Sequence, residues 1–255
     1  MPSVVFRMLQ DLDVQPGNRV LEIGTGSGWN AALLAHRLRT ENVVTVELDS
    51  VVAAEARTAL NVFGLPVSVI NRDGLKGYPE GGLYDRVIAT CGFRELPFAW
   101  VEQSRPGGVI VVPWGTHYGN GDAVARLVVA DDGESATGQF TGPVEFMKAR
   151  DQRLAPIVHS EFVSGGMTDC DKASTTITED EFMGERFSSQ RFVLGLRLRD
   201  CVHVEAEKRD GARPVWFYGL TDRSWACVMF RDGDTASVWQ SGPRRLWEEA
   251  SSAYA

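Results

Sequence analysis

The chain has few of the residues that staple small or metal-dependent folds. Four cysteines and four histidines are scattered over 255 residues with no C-x-x-C pair, so a zinc site is not expected and the metal assignment is none. The cysteines read as reduced thiols, which places the chain in a cytoplasm. No run of about 18 apolar residues is present to span a bilayer, so no membrane partner is expected. The opening MPSVVFRMLQDLDV lacks a basic stretch followed by an apolar core, so no export signal is expected. An excess of basic charge is also missing. The net charge is -8, and residues 1–150 and 151–255 each carry 13 basic and 17 acidic side chains. No basic tail is hidden by the average, and a nucleic-acid partner is not expected. Hydrophobic residues at 44% and charged residues at 24% exclude a wholly disordered chain, a collagen and a coiled coil.

What is present is an alternation of strand-like and helix-like segments. Residues 19–23, 43–48, 67–70, 85–90, 108–113 and 124–130 are short apolar runs suited to strands. Residues 4–12, 31–38, 51–63 and 97–104 have helical spacing or composition. Near-continuous apolar strands alternating with helices predict an α/β fold, a doubly wound Rossmann-like parallel sheet. The composition changes near residue 150, which divides the chain into 1–150, an irregular linker or subdomain over 151–186, and 187–255. The last part predicts a smaller antiparallel β domain, with strands over 192–198, 202–206, 215–218, 225–230 and 236–240. Turn clusters at 208–211, 221–224 and 231–234 separate them. A final helix is expected, capped by Ser241 or Gly242 with Pro243 in its first turn.

The chemistry-bearing segment is Val20-Leu21-Glu22-Ile23-Gly24-Thr25-Gly26-Ser27-Gly28. A strand ends in three glycines and leads into a helix, which lets backbone approach a ligand where ligands of parallel sheets bind. Glu47 ends the next strand, 19 residues after Gly28, where an acid can accept from both ribose hydroxyls. Asp49 or Ser50 serves to cap the following helix, which leaves Glu47 for a ligand. Asn71-Arg72-Asp73-Gly74 closes the third strand. Asp73 there can accept from an adenine amine, or form an Asx turn before Gly74. Glu22 suits a cationic sulfonium and amino-acid moiety better than a pyrophosphate, which it would repel. No lysine follows the glycines, so an ATP-binding phosphate loop is excluded.

With this order and spacing, the chain resembles the class I S-adenosylmethionine-dependent methyltransferases. Residues 21–35 (LEIGTGSGWNAALLA), Arg72-Asp73-Gly74, residues 84–90 and residues 105–115 are similar to the protein-L-isoaspartate O-methyltransferase family. The resemblance implies S-adenosyl-L-methionine as cofactor, held by Gly24, Gly26, Gly28, Glu47, Asp73 and Gly74. With Glu22, Thr25, Ser27, Leu48 and Thr90, these make up the expected cofactor site. It implies a partner that is a protein or peptide carrying Asp or isoAsp, whose methyl ester is able to close to a succinimide. Candidate substrate-side residues are Ser3, Trp29, Thr90, Cys91, Trp114 and His117; no acid/base pair stands out. The family carries a hydroxyl residue ahead of its first helix, where this sequence starts at Met1-Pro2-Ser3. The added residues 151–255 resemble methyltransferases that accompany ATP-grasp peptide maturases, in which an Asp becomes an aspartimide. A small-molecule methyltransferase and a non-catalytic cofactor- or peptide-binding module are the alternatives.

Overall fold

In the computed structural model, which describes residues 2–185, 188–232 and 235–254, the alternation is realised as a seven-stranded sheet. Helix α1 (Pro2–Leu12) precedes β1 (Val20–Ile23), α2 (Trp29–Leu38), β2 (Val43–Glu47), α3 (Ser50–Val62), β3 (Ser68–Asn71), β4 (Tyr84–Ala89), α4 (Ala99–Glu102) and β5 (Ser104–Trp114). Strands β6 (Asp122–Val129) and β7 (Ala136–Val144) complete the sheet in the order β3-β2-β1-β4-β5-β6-β7. The first five strands pair in parallel, and β6 runs antiparallel to β5.

Side-chain parity divides the core between the two faces. Val20, Val43, Val69, Ile88 and Val111 pack with Met8 and Leu12 of α1, Leu34 and Leu38 of α2, and Leu60 of α3. Leu21, Ile23, Val46, Val87, Ile110 and Val112 face the other way, onto Phe93 and Trp100. Glu22, two residues on from Val20, therefore points to the face that receives α2. The strand order reverses at β1 and β4, the switch point where open α/β sheets take ligands.

The chain divides into two compact units, one of Met1–Trp114 with Ala123–Gln152, the other of Gly115–Asp122 with Arg153–Ala255. The second is built on an antiparallel sheet of β8 (Asp171–Thr175), β9 (Cys201–Glu205), β10 (Ala212–Gly219), β11 (Trp225–Arg231) and β12 (Ala236–Ser241), in the order β8-β12-β11-β10-β9. One face packs Val215, Phe217, Val228 and Phe230 against Phe182 of α5 (Glu179–Met183), Leu194 of α6 (Gln190–Arg197), and Leu246 and Trp247 of α7 (Leu246–Tyr254). The other face carries Tyr218, Trp225 and Cys227 beneath Phe162, Val163 and Met167.

Several elements differ from the sequence expectation. Residues 192–197 belong to helix α6 rather than a strand, with Leu198 as its C-cap: Phe192, Leu194 and Gly195 are buried, and a Cβ at Gly195 would clash with Thr116 Oγ1. Residues 151–186, read as irregular, contain β8, whose mostly exposed side chains leave no alternating signal. They also contain α5, which opens on a Thr178–Glu181 capping box. Strand β7 was not expected, and its side chains are largely exposed as well. Helix α4 is shorter than residues 97–104, because β5 already begins at Ser104. Ser241 ends β12 and α7 starts only at Leu246, so Pro243 lies ahead of the helix. Gly233 and Asp234 of the third turn cluster, and Met1, lie outside the described residues.

Candidate functional site

The carboxyl end of β1 turns through Gly24, Gly26 and Gly28 with φ of +93°, +53° and +81°, a left-handed conformation that favours glycine at each step. Their reasons for being glycine differ. A Cβ on Gly24 would lie 2.9 Å from Thr90 Oγ1, and one on Gly28 would lie 3.2 Å from Leu60 Cγ. At Gly26 nothing lies within 4 Å, so with Ser27 it forms an exposed tip that backbone alone lines. Thr25 is buried, its hydroxyl 2.7 Å from that of Thr45. Thr90 closes the turn from β4: its hydroxyl donates to Gly24 O, and its N–H donates to Ile23 O at 2.9 Å.

Glu47 completes the turn from the neighbouring strand. Its Oε2 accepts from Gly26 N–H at 3.0 Å and its Oε1 from Asp49 N–H at 3.1 Å. The carboxylate is thus engaged rather than idle, yet its remaining lone pairs are open to hydroxyl donors. Asp49 caps α3 as expected, accepting from Val51 N–H at 3.0 Å and Val52 N–H at 3.3 Å. Those bonds hold its carboxyl below the usual range, with Arg150 adding to the effect. Beside Glu47, Leu48 is exposed, as is Trp29 at the start of α2.

Beneath the glycines Glu22 is fully buried. Burial pushes its carboxyl up to about 7; Thr45 and Asn30 pull it down, and the charge of Glu47 raises it further. Asn30 Nδ2 donates to Glu22 Oε1 at 2.7 Å, while Glu22 Oε2 and Asn30 Oδ1 have no partner with hydrogen-bond geometry. Thr45, its neighbour on β2, also shares a hydrogen bond with Thr25.

Asp73 adopts the Asx turn, its Oδ1 accepting from Leu75 N–H at 2.9 Å. A Cβ on Gly74 would lie 2.6 Å from Ile23 Cγ2, so this glycine serves packing. Asn71, not singled out in the sequence, ties the site together: its Nδ2 donates to Glu47 O at 2.9 Å and Leu48 O at 3.0 Å. Asn30 and Thr45 were missed as well; the signal for Asn30 was a polar residue at a buried helical position just after Gly28. Cys91 Sγ lies 3.6 Å from the point a Gly24 Cβ would occupy. Trp114 ends β5, donates its Nε1–H to Arg94 O at 2.7 Å and stacks on Phe140. Ser3 is exposed on the first turn of α1. His117 belongs to the second unit, 4.0 Å from Asp200.

A parallel sheet with three left-handed glycines after β1 and an acid closing them from β2 defines the class I S-adenosylmethionine-dependent methyltransferase fold. The family model described as Protein-L-isoaspartate(D-aspartate) O-methyltransferase (PCMT) matches residues 1–153, and the chain belongs to that family. It is 42% identical over 118 residues to the protein-L-isoaspartate O-methyltransferase of Pyrococcus horikoshii, covering 46% of this chain and 53% of that one. To the Paracoccus denitrificans enzyme of the same name it is 35% identical over 158 residues, covering 62% and 67%. The chain thus spans about half the length of several relatives it matches. A solved structure named protein-L-isoaspartate O-methyltransferase superposes with a TM-score of 0.55 at 22% identity, covering 100% of this chain and 74% of that one. The likeness of fold therefore extends through the second unit. No described helix is long and apolar enough to cross a membrane.

Proposed function

We propose that the chain transfers a methyl group from S-adenosylmethionine to a carboxylate of an Asp or isoAsp residue in a protein or peptide. The observation that carries this reading is the Gly24–Gly28 turn, bridged by Glu47 at Gly26 N–H and underlain by buried Glu22. The residues suit the cofactor. Gly26 leaves open space, Glu47 keeps lone pairs for ribose hydroxyls, and Glu22 Oε2 and Asn30 Oδ1 are buried acceptors. When bound, S-adenosylmethionine supplies an electrophilic methyl group. In this reading Glu47 fixes the ribose, Leu48 and Asp73 flank the adenine, and Glu22 with Asn30 balances the cationic end.

The acceptor carboxylate has a pKa near ~4 and is already ionised at neutral pH, so no residue has to take a proton from it. What the chain contributes is alignment, worth up to ~7–11 kcal/mol when geometry is ideal. An ester on Asp or isoAsp is then open to attack by the next backbone nitrogen, with methanol leaving and a succinimide formed. None of the four cysteines is in a disulfide, which supports a reducing cytoplasm as the setting. The second unit is more chain than methyl transfer needs, and we assign it to peptide recruitment.

Incubation with S-adenosylmethionine and an isoAsp peptide should add one base-labile methyl, followed by loss of methanol. A base-stable product would overturn the carboxyl assignment. An unmodified Asp-containing precursor peptide run in parallel separates repair of isoaspartate from peptide maturation, since only maturation uses the normal Asp.

A further inference from the structure

Residues 147–152 form a strap along the loop that follows β4. Gly92 N–H donates to Met147 O at 2.8 Å and Ala149 N–H donates to Gly92 O at 2.9 Å, a short parallel pairing. The strap ends in a single 3-10 turn, Arg150–Gln152, from which the Gln152 side chain turns back on the loop. Its Oε1 accepts from Arg94 N–H at 2.6 Å and Glu95 N–H at 3.0 Å, and its Nε2 donates to Glu95 O at 2.9 Å. Its main-chain oxygen accepts from Arg94 Nε at 3.0 Å. One amide side chain therefore takes the place of a strand partner for residues 94 and 95. From the same turn Arg150 reaches Asp49 at 3.5 Å. Asp49 follows β2 and Gly92 follows β4, with β1 between them, so the strap and this arm bracket the glycine turn.

The loop itself borders that turn through Cys91, beside Gly24. If Glu47 and Asp73 hold the nucleoside as proposed, toward β2 and β3, the side of the turn left for an acceptor would be the one bordered by residues 91–95. We propose that Gln152 is a positioning residue for the acceptor: it fixes the 91–95 loop in the conformation against which the peptide carboxylate is aligned. This rests on the carboxyl methyltransferase reading. Ala at 152 removes the side-chain partner of Arg94 N–H, Glu95 N–H and Glu95 O, while the main-chain bond to Arg94 Nε stays. Glu keeps the accepting bonds but sets a carboxylate oxygen against Glu95 O.

The test uses the full chain with Gln152→Ala and Gln152→Glu. Peptide KM and kcat are measured with S-adenosylmethionine and an isoAsp peptide, S-adenosylhomocysteine affinity by calorimetry, and amide exchange by mass spectrometry over residues 91–98. Gln152→Ala is expected to speed exchange at residues 94 and 95 and to raise peptide KM by about five-fold or more, the scale of one lost hydrogen bond. Because the loop supplies alignment, kcat at saturating peptide should fall as well, S-adenosylhomocysteine affinity should stay within about two-fold, and Gln152→Glu should fall between. Unchanged exchange overturns the positioning role, and faster exchange with unchanged KM overturns its link to the acceptor. A parallel loss of S-adenosylhomocysteine affinity, or a fall in melting temperature that explains both losses, makes Gln152 general support and overturns the proposal. If the unaltered chain binds S-adenosylhomocysteine but methylates no carboxylate, the functional reading fails and the acceptor role with it. The exchange data still decide whether Gln152 holds the loop.

Discussion

Replacing Glu22 with Gln should uncouple ligand binding from proton release. With its carboxyl raised to about 7 by burial, Glu22 is partly neutral in the free protein near neutral pH. In the proposed reading the ammonium group of S-adenosylhomocysteine favours the ionised form. Binding near neutral pH should then release part of a proton per ligand. As pH falls from 8 to 6 the ionised fraction drops, which raises the apparent Kd. Calorimetry in buffers of different ionisation enthalpy reads the proton count directly. The wild type should show a slope clearly different from zero, and Glu22→Gln none, with weaker binding and no drift of Kd between pH 8 and pH 6. The same group shapes stability. Its folded pKa lies above the ordinary 4.5, so the folded state holds the proton more tightly, and stability falls as pH rises from 4.5 through 7. A shift of that size corresponds to at most about 3–4 kcal/mol. Glu22→Gln should therefore be the more stable protein at pH 8 while binding ligand less well. A wild-type slope of zero, or a slope that survives in the variant, would refute the reasoning.

Glu47→Ala should weaken S-adenosylhomocysteine binding ten-fold or more, as loss of a charged acceptor costs about 1.5–3 kcal/mol; unchanged affinity by calorimetry contradicts the ribose assignment. Gly26→Ala, with open space around it but φ of +53°, should lose about 1–2 kcal/mol of stability and most ligand affinity. Gly74→Ala meets Ile23 and should lose about 1–3 kcal/mol, so melting curves beside binding curves separate ligand cradle from packing. In the second unit, burial and the charge of Arg191 push the His203 imidazole down to about 4, with Glu205 3.5 Å away. The unfolded chain binds that proton first, so this unit should lose stability as pH falls from 6.5 toward 4; exchange rates of β9 and β10 amides against pH, with His203→Phe as control, measure it.

The glycine turn of the candidate site was legible because its demands are local. Three left-handed positions in five residues call for glycine, an acid at the next strand end has a fixed spacing, and Asp49 caps whatever helix follows it. What Glu47 does was less legible: Gly26, 21 positions away, engages the carboxylate that spacing alone left for a ligand. Gln152 gave no signal because its partners lie 57 and 58 positions back. Strands β7 and β8 stand at sheet edges with exposed side chains, so neither face writes an alternating pattern into the sequence. In α6 the run Phe192-Val193-Leu194-Gly195-Leu196 is too short for periodicity to separate strand from helix. Packing of Leu194 and Leu198 beside Tyr118 settles it.

The Gly115–Asp122 segment has a consequence for how the molecule is made. It leaves the first sheet after Trp114 and rejoins it at Ala123, and those two residues pair across β5 and β6. Its packing partners, Arg191, Gly195 and His203, are encoded far downstream. On the ribosome the first unit finishes while this loop, its ends already joined, still carries Tyr118 without the residues that will bury it. The entropy of closing the loop is spent before the second unit exists, so the late-emerging chain assembles on a template rather than on a free coil. Synthesis order then favours a folding order in which the sheet that bears the glycine turn comes first and the antiparallel unit second.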